Sequence, residues 1–226
     1  VLEFPLWLGI SDRLMPAPSS VILSNARLYG ILDLGYVLPD QVETMTAALC
    51  AGGVDLLQLR AKKHSAQDVE RMARRMQPIT REHGVPLIIN DHLEVAASIG
   101  SEGVHVGQDD NAVAKAREVV GPEIFIGKST HSLQQAVAAQ EEGADYLGFG
   151  PLYATGTKPD YIPIGLQDIT EVHRRVERPI FCIGGVNVPR LPEIVSAGAR
   201  RVVVVSALLL AEDVAAYVRE IKALLP

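Results

Sequence analysis

The chain has 226 residues, 48% of them hydrophobic and 21% charged, with a formal net charge of −6. That length and ordinary globular composition suit one α/β domain and exclude fibrous and disordered classes. The acidic balance argues against a nucleic-acid partner, which leaves a basic footprint, but not against a small phosphorylated ligand held by a few local cations.

Residues 1–26 contain Pro5, Pro16, Pro18 and Ser19-Ser20 and read as an irregular N-terminal arm. They lack a basic stretch ahead of an unbroken apolar run, so no signal peptide is expected. No run in the chain is long and apolar enough to suggest a membrane span. Over residues 27–226, short apolar, β-branched-rich runs recur at 28–33, 54–60, 86–90, 103–106, 124–128, 146–150, 179–183 and 202–206. Such near-continuous runs mark strands buried on both faces, as in parallel sheets.

Helical patterns lie between the runs. Asp40 and Glu43 have the shape of a capping box before Val42, Met45 and Leu49. Ser65 precedes a helix whose apolar face is Val69, Met72, Met76 and Ile79. A short helix fits 93–99, Ser132 and Gln135 form another capping box, and the last helix carries Val214, Tyr217, Ile221 and Leu224. Gly52-Gly53, Gly84, Gly143 and Gly198 stand where helices close. Eight alternations predict a single (β/α)8 TIM barrel of class α/β, with an open doubly wound sheet as the alternative. Cys50 and Cys182 lie in apolar stretches outside any metal-ligand spacing and read as buried reduced thiols, which fits the cytoplasm.

In this fold active sites sit at the C-terminal ends of the strands. Those ends carry Gln58, Arg60 and Lys62; Asn90 and Asp91; His105 and Asp110; Ser129 and His131; the loop Thr155-Gly156-Thr157-Lys158; Gly184-Gly185; and Val205-Ser206. Arg60, Lys62 and Lys158 are cations suited to a diphosphate, though surface ion pairs also account for Arg60. Asp91 and Asp110 follow adjacent strands, roughly 4.8 Å apart, so both carboxylates can reach one Mg²⁺; each alone also reads as a helix cap. Gly185 and Ser206 lie where barrels often hold a monophosphate. No His/Cys zinc spacing and no G-x-S-x-G elbow is present. Lys128 is the one strand lysine that a Schiff-base enzyme could use.

Seven stretches together resemble the thiamine-phosphate synthase family: 58–62 (Q-L-R-A-K), Asn90-Asp91, 103–110 (G-V-H-V-G-Q-D-D), 129–132 (S-T-H-S), 148–158 (G-F-G-P-L-Y-A-T-G-T-K), Gly184-Gly185 and 205–207 (V-S-A). The resemblance implies Mg²⁺-dependent joining of a pyrimidine diphosphate to a thiazole phosphate, with diphosphate leaving first. It implies that Gln58, Arg60, Lys62, Asn90, Ser129 and Lys158 hold the pyrimidine diphosphate, with Arg60, Lys62, Ser129 and Lys158 as the catalytic set. It places Mg²⁺ on Asp91 and Asp110, and the thiazole phosphate on Thr155, Gly156, Thr157, Gly185, Val205 and Ser206. Ala61, His92 and the segment 161–164 depart from the family's pattern. The alternatives are a thiazole tautomerase-like isomerase and a non-catalytic sensor of thiazole phosphate. Barrels of this size often associate, which makes a homo-oligomer the expectation.

Overall fold

The computed structural model describes residues 19–108, 112–156 and 161–226. Eight parallel strands close in sequence order into a barrel: β1 (Leu28–Asp33), β2 (Leu56–Arg60), β3 (Leu87–Asn90), β4 (Gly103–Val106), β5 (Phe125–Thr130), β6 (Tyr146–Phe149), β7 (Ile180–Cys182) and β8 (Val202–Val204). β8 returns to β1 with Leu28 opposite Val202. A helix precedes β1, α1 (Ser19–Asn25). The outer helices are α2 (Val42–Gly52), α3 (Ala66–Glu82), α4 (Leu93–Ile99), α5 (Ala112–Val120), α6 (Leu133–Glu141), α7 (Ile169–Arg175), α8 (Leu191–Ser196), α9 (Ser206–Leu209) and α10 (Val214–Ala223). The (β/α)8 expectation stands, and every expected strand falls within two residues of an observed one. No helix among the described residues is long and apolar enough to cross a membrane.

Two expectations are corrected. Residues 19–25 are not irregular: they form α1, whose Leu23 is buried with Ala26 against Tyr29 in the barrel interior. That burial gives the segment a reason to be helical which its prolines and serines conceal. Asp40 does not cap α2; Gln41 holds that position without a side-chain cap bond. The other two caps form. Ser65 accepts from Asp68 N, and Ser132 accepts from Gln135 N. The Gln135 side chain reaches back to His131 N at 2.7 Å, one residue earlier than a reciprocal box requires.

Alternate residues of each strand face opposite sides. Leu28, Leu32, Leu57, Leu59, Leu87, Ile89, Leu147 and Val202 join the layer beneath the helices, while Tyr29, Ile31, Leu56, Ile88, Phe125, Tyr146, Phe181 and Val203 fill the barrel. Four rings meet edge-on in that interior: Tyr146 packs on Tyr29, Phe125 and Phe181 at centroid distances of 5.9, 6.0 and 5.7 Å. Glycine makes room for them. A Cβ on Gly127 would lie 2.0 Å from Tyr146 Cζ, and one on Gly103 would lie 2.2 Å from Phe125 Cε2.

The helical ring closes where α10 packs on α2, with Lys222 Nζ donating to Gly53 O at 2.6 Å and pairing with Asp55 at 2.7 Å. The other carboxylate oxygen of Asp55 accepts from the backbone N–H groups of Arg27 and Leu28, which pins the entry of β1. Cys50 and Cys182 are free and buried, as expected.

The glycine fit yields a test. Gly127→Ala forces a methyl into the Tyr146 ring, and overpacking of this kind costs about 1–3 kcal/mol. Gly107 has open space within 4 Å, and Gly107→Ala should be neutral or slightly stabilising, by about 0.5 kcal/mol. Denaturant unfolding compares the two; equal midpoints would contradict the packing argument.

Candidate active site

The C-terminal ends of the strands open into a cavity of about 90 Å³, continuous through Thr155, Gly185 and Ser206 with a groove of about 700 Å³ toward α9 and α10. A third depression of about 410 Å³ adjoins Arg60 and is walled by Lys62, Lys63 and Tyr36. The strand ends therefore supply one mouth with an apolar floor and a polar rim.

A chain of hydrogen bonds crosses the floor. Gln58 Nε2 donates to Tyr29 OH at 2.5 Å, Tyr29 OH meets Tyr146 OH at 3.0 Å, and Tyr146 OH meets His105 Nδ1 at 3.0 Å. His105 Nε2 then meets Ser129 Oγ at 3.0 Å. All five groups stand on inward positions of β1, β2, β4, β5 and β6, so the strand alternation alone brings them together. Burial holds both tyrosines neutral, pushing their pKa values well above the usual range. Ser129 is bonded to His105 rather than to its near neighbour His131, whose ring bonds Gly150 O.

The rim is built from paired charges. Arg60 is bonded to Asp33, whose side chain is only 4% exposed, and the two are register partners on β2 and β1. Asp33 also accepts from Gly35 N at 2.9 Å. Lys62 is bonded to Asp91, and Asn90 Nδ2 donates to the same Asp91 oxygen at 2.7 Å. Asp91 does not cap α4: His92 takes the N-cap position, and Asp91 has φ 63, a left-handed conformation uncommon outside glycine. Its backbone N–H donates to His105 O at 3.0 Å, which ties the turn to β4. Asp91 Oδ1 accepts no hydrogen bond among the described residues, so a hard oxygen donor is available at the rim. Mg²⁺ prefers such oxygens and commonly takes one or two carboxylates together with substrate phosphate. Among the described residues no three His, Cys, Asp or Glu side chains cluster as a metal cage.

On the far side of the mouth, Gly184 and Gly185 adopt φ 102 and 69, and a Cβ at Gly184 would sit 2.5 Å from Pro151 Cα. Glycine is required there for the backbone to turn against the neighbouring loop. Arg190 Nη1 donates to Gly185 O at 2.9 Å, and its guanidinium lies 4.4 Å from the centre of the Tyr153 ring. Val205 immediately precedes α9 and Ser206 starts it, both lining the cavity with Thr155.

The structure thus brings Gln58, Arg60, Asn90, Ser129, Thr155, Gly185, Val205 and Ser206 to one cavity, with Gly156 in the adjoining groove. Lys62 lies beside it in the third depression and reaches Asp91. Asp110, Thr157 and Lys158 fall outside the described residues. Lys128 faces the helices, where it pairs with Glu142 at 2.5 Å, so it is not a lysine inside the barrel. Tyr161, part of the segment that departs from the family's pattern, tilts against the His131 ring at 4.8 Å. The sequence reading missed Asp33, Tyr29 and Tyr146. Asp33 ends the first strand at the same level as Arg60, a signal available from the strand-end rule. The tyrosines read as core residues, and nothing in a linear pattern shows two hydroxyls meeting across a barrel.

A family model described as thiamine monophosphate synthase matches residues 28–208. A thiamine-phosphate synthase of Chloroflexus aurantiacus is 41% identical over 199 residues, which cover 88% of this chain and 92% of that protein. Another, of Gloeobacter violaceus, is 42% identical over 191 residues, 84% of this chain and 55% of that longer protein. Among solved structures, thiamine phosphate pyrophosphorylase from Pyrococcus furiosus superposes with a TM-score of 0.81 at 30% identity, covering 90% of this chain and 96% of that one.

The buried tyrosines predict an alkaline limit to stability. Unfolded tyrosine ionises near pH 10, while Tyr29 and Tyr146 stay protonated in the native state. The unfolded state then loses protons that the native state keeps, so stability holds below pH 10 and falls as the pH rises above it. A spectrophotometric titration should show at least two of the six tyrosines ionising only as the fold is lost. Reversible ionisation of all six in folded protein would refute the buried hydroxyl chain.

Proposed function

The chain belongs to the thiamine monophosphate synthase family, and from that membership we infer that it condenses hydroxymethylpyrimidine diphosphate with thiazole phosphate. In that reaction the bond between the pyrimidine methylene carbon and the diphosphate oxygen breaks, its electron pair leaving with diphosphate. The thiazole nitrogen supplies the pair for the new C–N bond, giving thiamine phosphate. A ring nitrogen attacking an electron-poor carbon has no proton to lose, so no general base is required. The observation that carries the reading is the joining, at one mouth, of a cationic rim and a glycine-lined groove.

We propose that Arg60, Lys62 and Lys158 grip the diphosphate, with Asn90 and Ser129 as neutral donors. Asp33 keeps the guanidinium of Arg60 aimed, and Arg60 presents its remaining N–H groups in a planar fork suited to phosphate oxygens. Gln58 and the hydroxyl chain behind it form the polar floor under the pyrimidine ring. The backbone at Gly185, Val205 and Ser206, with Thr155, Gly156 and Thr157, holds the thiazole phosphate. Asp91 and Asp110 are proposed to hold Mg²⁺, which when bound would offset negative charge on the leaving diphosphate. Holding both substrates at one mouth replaces a random collision by a positioned one, and fixed cations meet the charge that develops on the departing group. The buried thiols fit the reducing cytoplasm we propose as its compartment. Self-association as a homo-oligomer is proposed from the habit of barrels this size.

The first experiment supplies both substrates and Mg²⁺, with an EDTA control, and reads thiamine phosphate by its oxidised fluorescence. Product that needs both substrates and metal is expected. Tight binding of thiazole phosphate without product would favour the tautomerase-like or sensor reading instead. Asp91→Asn, which tolerates the left-handed backbone, should lower turnover on the order of 100-fold; wild-type rates would remove Asp91 from the metal site. Ser206→Ala should raise the KM for thiazole phosphate more than that for the pyrimidine diphosphate, and equal effects would move Ser206 out of the monophosphate site.

A further inference from the structure

At the opposite end of the barrel, where β6, β7 and β8 begin, lies a separate pocket of about 370 Å³. Leu23 and Ser24 of α1, His173 of α7, and Arg178, Arg200 and Arg201 line it. Among the described residues none of these three arginines joins an ion pair. Two carboxylates also border the pocket, Asp145 and Glu177. Asp145 is paired through Oδ2, with Arg117 at 2.7 Å and Ile126 N at 2.8 Å, and Glu177 joins no ion pair among the described residues, so two carboxylates, one of them already matched by Arg117, stand against three guanidinium groups.

Two buried nitrogens of the wall lack partners among the described residues. Arg201 donates through Nη2 to Ser24 O at 2.8 Å, but its Nε, like His173 Nε2, has no hydrogen-bond partner among the described residues. A buried polar group in that condition is costly, and such groups are rare enough to call for a cause. The local field is strongly positive. Burial, and then Arg200 and Arg201, hold the His173 ring at a pKa of about 4, and burial and Arg200 lower that of Arg201.

We propose that this pocket at the base of the barrel binds a phosphate-class oxyanion between Arg178, Arg200 and Arg201, independently of the site at the mouth. Arginine is the side chain for such a ligand, because its planar fork matches two oxygens at once. The pocket has room for the anion alone or for a small phosphate monoester. Because the ligand bridges residues that also touch α1, its binding ties the base-plugging helix to β8.

His173 gives a probe that the mouth does not share. Inorganic phosphate is titrated into the full chain at pH 6.5, with ionic strength held constant by chloride. The His173 ring resonances, identified by their loss in His173→Gln, are followed by NMR. A saturable shift is expected, half-complete on the order of 1 mM. Arg200 is exposed, so Arg200→Gln should fold, keep synthase turnover, and weaken the shift at least tenfold. Repeating the titration with glycerol phosphate separates the sources: tighter binding than phosphate assigns a phosphorylated metabolite, and weaker binding assigns the free anion. A ring signal that stays still or drifts without saturating, or an Arg200→Gln protein that titrates like wild type, overturns the proposal.

Discussion

Two tyrosines at the centre of the barrel carry both of its tasks. The rings of Tyr29 and Tyr146 are fully buried and complete the aromatic packing with Phe125 and Phe181. Their hydroxyls cannot be left bare at that depth, since an unpaired buried hydroxyl is costly. They are satisfied by each other, by Gln58 at one edge and by His105 at the other. The polar floor of the mouth is thus the upper surface of the hydrophobic core. Its side chains are positioned by strands, which move less than loops and so hold a site more closely.

The rim follows a related logic with charges. Arg60 pairs with a nearly buried carboxylate, so its guanidinium is oriented before any ligand arrives. Lys62 and Asp91 form a far more exposed pair, and such pairs add little to stability. The exposed pair is therefore free to exchange partners when a phosphorylated substrate enters, while the buried one persists as a fixed support. This division of roles accounts for two oppositely charged couples standing side by side at one mouth.

The barrel was legible in the sequence because both faces of its strands are buried, leaving uninterrupted apolar runs of about the right length. The strand-end rule expected Gln58, Arg60, Asn90, Ser129 and Ser206 at one rim, and they line one cavity, since closure of the sheet brings those ends together wherever they lie in the chain. What escaped was set by tertiary contact. The helix at Ser19–Asn25 owes its form to burial against the barrel interior rather than to local preference. Asp40 looked like a cap by spacing, yet the chain enters α2 one residue later. Asp91 also looked like a cap, but its left-handed backbone turns the carboxylate to Lys62 and Asn90.

The fit of glycine beneath aromatic rings has a consequence for how this inner wall can change over generations. With Gly127 under Tyr146, a change at either position carries a cost: a side chain at 127 calls for a smaller neighbour, and a smaller neighbour at 146 removes the oxygen that holds His105 and Tyr29. A pair of compensating substitutions would relieve the clash only if the second also restored a hydroxyl from somewhere else. Packing thus couples a position on β5 to one on β6, and a change at either is felt by the hydroxyl chain that floors the mouth.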